Sequence, residues 1–133
     1  GQWLADLGID LIIGGHPHVV QDYEVLTAAD GRRVPIMYAL GNLISNQRWE
    51  DSNGGIMTTV DIDRNSHEIV KIDYIPVYVH KGSLLGERRN YYCIPTSDYL
   101  KGQLPFTLPN DSIENELKIF HRNTSKRLGN LQL

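Results

Sequence analysis

His16 and His18, within Gly14-Gly15-His16-Pro17-His18-Val19-Val20-Gln21, are the residues of this 133-residue chain whose types and spacing could do chemistry. Neutral imidazole is a metal ligand, and two imidazoles aimed at one point suit zinc, iron, manganese or nickel far better than calcium or magnesium. Pro17 fixes its own φ and pushes the residue before it toward extended backbone, where residues two apart face the same side. The spacing therefore predicts that both rings project together. Gly14 and Gly15 allow a sharp turn and a close approach to a ligand. The alternative is an ordinary turn with two exposed histidines, because short motifs recur by chance. Two imidazoles also fall short of the three or more protein ligands a catalytic metal takes, and no nearby carboxylate stands out as the third.

Several elements must position this pair. The run Ile9-Asp10-Leu11-Ile12-Ile13 has the composition of a buried strand, so the histidines follow its carboxyl end, where open α/β sheets build their sites. Before it, Trp3, Leu4 and Leu7 recur at helical spacing, and Gly8 suits the position just past a helix end. Trp3 reads as core, or else as exposed or part of an interface. Downstream, two strand candidates at 23–27 and 34–40 flank a polar gap containing Asp30-Gly31, a hairpin signal. Pro35 lacks an N–H and belongs at the strand's start or on an edge. The hairpin is expected to extend the sheet carrying the histidines and to return the chain to them at Gly41-Asn42. Asn42 is the further candidate there. Its amide could orient a ligand or a phosphate oxygen, or it could cap its own backbone in a turn; no catalytic role is assigned to any other residue.

Two segments together carry a resemblance. Residues 10–21, through Gly15-His16-Pro17-His18, and then Tyr38-Ala39-Leu40-Gly41-Asn42-Leu43-Ile44-Ser45-Asn46-Gln47 resemble the closing segments of the CapA family of poly-γ-glutamate capsule biosynthesis proteins. That family belongs to the calcineurin-like metallophosphoesterase superfamily, whose last metal-binding motif, Gly-His-x-His, is matched at 15–18. The second segment is similar to the family's Ser-Leu-Gly-Asn-Phe-Ile-Phe-Asp-Gln and departs from it at Ala39, Leu43, Ser45 and Asn46, where Asn46 loses the charge of an Asp. The resemblance covers about residues 1–80, and Tyr91-Tyr92-Cys93-Ile94-Pro95 more loosely.

The resemblance implies that His16 and His18 bind metal in a two-metal site of Mn, Fe or Zn, within a metal-dependent hydrolase. That enzyme would work at the bacterial cell envelope or extracellular surface, making, attaching or trimming poly-γ-glutamate or another polymer. The remaining ligands are expected from an N-terminal part of the same domain, so this chain alone should hold at most half a metal site and be inactive. A second reading is a non-catalytic surface or assembly subunit that holds an anionic surface polymer or a capsule synthase through the same cleft. A second copy of the chain is a further expected partner, because half a sandwich leaves apolar faces and strand edges uncovered.

Composition narrows the classes. With 41% hydrophobic and 22% charged residues the chain is ordinary globular protein, and a net charge of −3 gives no attraction for nucleic acid or anionic lipid. Cys93 is the one cysteine, which excludes an internal disulfide, and it reads as a small buried hydrophobe. No apolar run approaches the roughly 20 residues of a membrane helix, and no signal peptide is visible.

The remaining segments are read as scaffold. Residues 47–53 form a polar surface loop in which Trp49 lids a groove or folds back on the surface. Segments 55–63 and 69–80 make a second hairpin, with His67 in its turn and His80 at a strand end, neither a ligand. Arg88-Arg89 lies in a loop that could meet an anionic polymer, followed by a last strand at 91–95, a helical turn at 96–100 and a connector marked by Pro105 and Pro109. Asp111 or Ser112 caps a final helix that buries Ile113, Leu117, Phe120 and Thr124 and ends at Gly129, with His121 on the solvated side or complementing the helix C-terminal dipole. The expected fold is α/β or α+β, the C-terminal portion of a metallophosphoesterase-like two-sheet sandwich with flanking helices. Residues 1–100 supply the domain part, and 101–133 the connector and amphipathic helix.

Overall fold

One short helix and a small mixed sheet open the chain, and a longer antiparallel sheet with two helices completes it, an α+β fold. In order these are α1 (Gln2–Asp6), β1 (Ile12–Ile13), β2 (Tyr23–Thr27), β3 (Arg33–Met37), β4 (Gly54–Ile62), β5 (Ile69–Gly82), β6 (Asn90–Pro95), α2 (Thr96–Leu100) and α3 (Asp111–Leu128). The computed structural model describes residues 1–84, 86, 88 and 90–133, so Arg89 of the Arg88-Arg89 pair lies outside the described residues.

The first sheet has the order β1-β3-β2, with β1 parallel and β2 antiparallel to β3. α1 ends as its sequence predicts: Gly8 takes φ 98, and the Gly8 and Ile9 amides donate to the Ala5 and Leu4 carbonyls at 3.1 and 3.3 Å. Ala5 alone of α1 is buried, in a small cluster with Ala28 and Val34. Trp3 is 70% exposed, which corrects its reading as core: a five-residue helix resting on β2 presents one face, and Trp3 is not on it. The expected buried strand at 9–13 is corrected too. β1 is two residues long and paired on one side among the described residues, and Ile9 and Ile13 are exposed.

Pro35 sits in the central strand rather than at an edge or a strand start. The Tyr38 amide donates to Asp22 in the β2 direction and the Gly14 amide donates to the Met37 carbonyl from the β1 direction, so by alternation the Pro35 nitrogen faces β1. The β1 pairing begins at Ile36, one residue later, and no ladder bond is lost. Arg32 ties this sheet to α1: its guanidinium donates to the Ala5 carbonyl at 2.9 Å, near the helix C-terminus where a cation is favoured, and to Asp10 and Asp30 at 2.7 Å each.

The second sheet, β4-β5-β6, is antiparallel throughout, as the second hairpin predicts. Its turn is closed by Asp63, whose side chain accepts from the Asn65 and Ser66 amides at 2.8 Å each. α3 packs on β5 and buries Leu117, Phe120, Thr124 and Leu128, of which Leu117, Phe120 and Leu128 join Ile72, Tyr78 and Ile94 in the main core. Its N-cap is Asn110, whose Oδ1 accepts from the Ile113 amide at 3.0 Å, one residue ahead of the expected Asp111 or Ser112. His121 is half-buried rather than solvated, with Nδ1 2.8 Å from Thr96 Oγ1. His80 is 4% exposed inside β5 and stacks on Tyr92, not at a strand end. Cys93 is exposed, its thiol donating to the Leu43 carbonyl at 3.1 Å, because strand alternation turns it away from its buried neighbour Ile94.

The two sheets meet where the chain leaving β3 crosses β4. Gly41 bridges Gly55, Asn42 N–H donates to Gly54 O at 2.9 Å and Ile56 N–H donates to Leu40 O at 2.8 Å. A Cβ on Gly55 would stand 2.7 Å from both the Leu40 and Asn42 carbonyl oxygens, and one on Gly54 would stand 2.5 Å from Val77 O. Only glycine permits this approach.

Two outcomes follow. Gly55→Ala should destabilise the chain by about 1–3 kcal/mol in denaturant unfolding, because backbone must give way. Burial, with a smaller push from the Arg48 charge and against the opposing pull of Glu116, holds the His80 pKa below its ordinary value, and burial does the same to His121. The unfolded chain therefore takes up these protons first, so stability should fall as pH drops below about 6.5. His80→Phe should make that fall shallower, read by denaturant midpoints at several pH values; an unchanged slope would remove His80 from the account.

Candidate metal centre

The turn after β1 is set by backbone packing. Gly14 lies so close to β3 that a Cβ there would stand 2.3 Å from the Tyr38 carbonyl oxygen, whereas a Cβ on Gly15 would meet nothing within 4 Å. Gly14 thus serves the approach of one strand to another, and the chain must turn away immediately beyond it. His16 takes φ 92, which corrects the expected extended conformation. A non-glycine residue in that region stores about 1–3 kcal/mol of strain, and such strain clusters at functional sites.

His16 and His18 are both exposed, and both line one open concavity of about 450 Å³. Gly14, Gly15 and Pro17 form the rest of its near wall, and Leu40, Gly41 and Asn42 its far wall. The sequence expectation that the chain returns to the histidines at Gly41-Asn42 is met in space. The route is different from extended backbone: a kinked turn carries both side chains to one depression.

Asn42 is 7% exposed and its amide is fully engaged. Its Nδ2 donates to Ser52 O at 2.7 Å and lies 3.1 Å from both His18 O and Gln47 Oε1, while His18 Nδ1 lies 2.8 Å from its Oδ1. The side chain does not cap its own backbone; it reaches across to the histidine turn and into the 47–53 loop. That loop is only partly surface. Ser52 and Asn53 are buried, Val79 N–H donates to Asn53 O at 2.8 Å, and Trp49 stands 64% exposed. Gln47 and Ser52 were not singled out by sequence reading, since one is a polar loop residue and the other contributes a backbone carbonyl.

Beyond this loop Asn46 Oδ1 accepts from Lys81 Nζ and lies 3.4 Å from Tyr91 Oη, and Arg48 and Lys81 stand 6.0 and 5.4 Å from the Tyr91 ring centre. The residue that departs from the family's Asp thus meets a lysine through a neutral amide. Among the described residues no three His, Cys, Asp or Glu side chains gather where they could hold one metal ion. The donor set present is two imidazoles, which fit part of a transition-metal site and leave its other ligands to residues outside the group. No described helix is long and apolar enough to cross a membrane.

Comparison with known proteins agrees with the two segments. The family described as Bacterial capsule synthesis protein PGA_cap matches residues 1–47, the stretch that holds both histidines and Asn42. The chain is 28% identical over 131 residues to a capsule biosynthesis protein CapA of Bacillus anthracis, covering 94% of this chain and 29% of that protein. It is 26% identical over 80 residues to a PGA biosynthesis protein CapA of Bacillus subtilis (strain 168), covering 60% of this chain and 19% of that protein. The chain therefore spans less than a third of the length of either relative. No solved structure matches it. Through the histidine turn, the segment around Asn42 and these relatives, the chain is similar to the CapA family of capsule biosynthesis proteins.

Proposed function

We propose that this chain carries two ligands, His16 and His18, of a divalent-metal site in a metallophosphoesterase-like hydrolase that acts in capsule biosynthesis at the bacterial cell envelope. The observation that carries the reading is the shared concavity: two imidazoles from one strained turn, with a buried amide behind one of them. Strain at His16 has a use if it sets a ligand and none if the turn is only a turn. A bound Mn, Fe or Zn ion supplies Lewis acidity and an activated water. The chain's own residues do the positioning: Gly14 forces the turn, Pro17 separates the two rings and Asn42 holds His18.

The remaining ligands belong to other parts of the same protein, given that the relatives are more than three times as long as the matched stretch. The substrate class that fits is a capsule polymer such as poly-γ-glutamate, in keeping with the description of the Bacillus subtilis relative as a PGA biosynthesis protein. Arg48 and Lys81 beside Tyr91 lie past the Asn42 loop and would favour an anionic chain running out of the concavity. The other reading is a non-catalytic subunit that holds polymer or synthase in this depression, and the same cation pair would serve it.

Titration of the purified chain with Zn²⁺ and with Mn²⁺ distinguishes these. We expect no more than one ion per chain, with His16→Ala and His18→Ala each weakening binding by about tenfold or more. Tight binding of two ions would overturn the half-site reading, and affinity indifferent to both substitutions would leave the polymer-holding reading in its place. His16→Gly offers a separate check, since glycine takes the positive φ without strain. It should keep or raise stability, by about 1 kcal/mol, while lowering metal affinity, the opposing changes expected where strain serves a site.

A further inference from the structure

We infer that Asn42 is a positioning residue that fixes His18 as the Nδ1–H tautomer, leaving Nε2 as the ring nitrogen with a free lone pair for the concavity. The tautomer follows from hydrogen-bond accounting around one buried amide. Asn42 Nδ2 faces three oxygens: the backbone carbonyls of Ser52 at 2.7 Å and His18 at 3.1 Å, and the Gln47 side-chain oxygen at 3.1 Å. The two backbone carbonyls can only accept, so rotating the amide by half a turn would set Oδ1 against both of them. Asn42 Oδ1 must then point at His18 Nδ1, 2.8 Å away, and an amide oxygen only accepts. The proton of the neutral ring therefore sits on Nδ1.

The grip is two-point, because Asn42 holds both the ring of His18 and its backbone carbonyl. The Asn42 backbone is in turn anchored to β4 through its amide and through the Gly41 to Gly55 bridge. Among the described residues His16 has no corresponding side-chain anchor, so the two histidines differ: one is oriented in advance and the other is free to adjust. A ligand nitrogen whose partner nitrogen donates to an oxygen is both oriented and made more basic. The tautomer stands on these hydrogen bonds alone, while its consequence for a metal ion rests on the proposed role of His18.

The test is the protonation pattern of the His18 ring in the ¹⁵N-labelled chain, read from long-range ¹H–¹⁵N correlations above the titration range of histidine. We expect the Nδ1–H pattern in the wild type and its loss, toward a mixture, in Asn42→Ala. The wild-type pattern is read without any substitution, which preserves the test if the alanine variant fails to fold. An Nε2–H ring in the wild type, or an Nδ1–H pattern unchanged in folded Asn42→Ala, would overturn the inference. Zn²⁺ alone, added to the wild type, should perturb Nε2 of His18, and Asn42→Ala should bind it at least about tenfold more weakly. A wild-type ring that is Nδ1–H but untouched by Zn²⁺ would count against the metal site while supporting the assignment of Asn42.

Discussion

The close approach of the Leu40-Gly41-Asn42 backbone to Gly54-Gly55 is the constraint on which the site depends. It needs two backbone hydrogen bonds and no side chains between them, and glycines at 41 and 55 provide that clearance. With the crossing in place, the first sheet carrying the histidine turn and the second sheet carrying the main core behave as one scaffold. The Asn42 side chain is then held within reach of His18.

The two sheets contribute unequally. The first is small and closed by a minor cluster of Ala5, Ala28 and Val34, with Ile9 and Ile13 of the β1 region open to solvent. The second, with α3 across β5, buries Leu117 and Phe120 and carries most of the apolar burial, worth about 1.5–3 kcal/mol for each large side chain. The histidine turn is presented by the weaker sheet and steadied by the stronger one. Asn42 is the residue through which that support reaches the histidines, because its neighbours on one side belong to the turn and on the other to β4 and the 47–53 loop.

Similarity to the capsule synthesis family takes in both the histidine turn and the Asn42 segment, since both lie in the matched stretch 1–47. It does not assign their roles. Geometry adds a strained His16, an anchored His18 and a shared depression.

The sequence by itself determined the order and type of the elements. Both hairpins, the helix ends at Gly8 and Gly129 and the buried stripe of α3 were legible, because turn residues and apolar periodicity act over a few neighbours. It also marked His16, His18 and Asn42 as belonging to one region, through a short spacing and a chain return. Tertiary structure decided what spacing cannot express. Whether Trp3 is core or surface depends on which face of α1 meets β2, and whether Pro35 can occupy a central strand depends on where β1 begins. His80, read as a strand-end residue, and His121, read as solvated, are both drawn inward for the same reason, since burial is set by partners far along the chain. The reach of Asn42 to His18, across 24 residues, depends on Gly41 and the distant Gly55 letting two backbones touch.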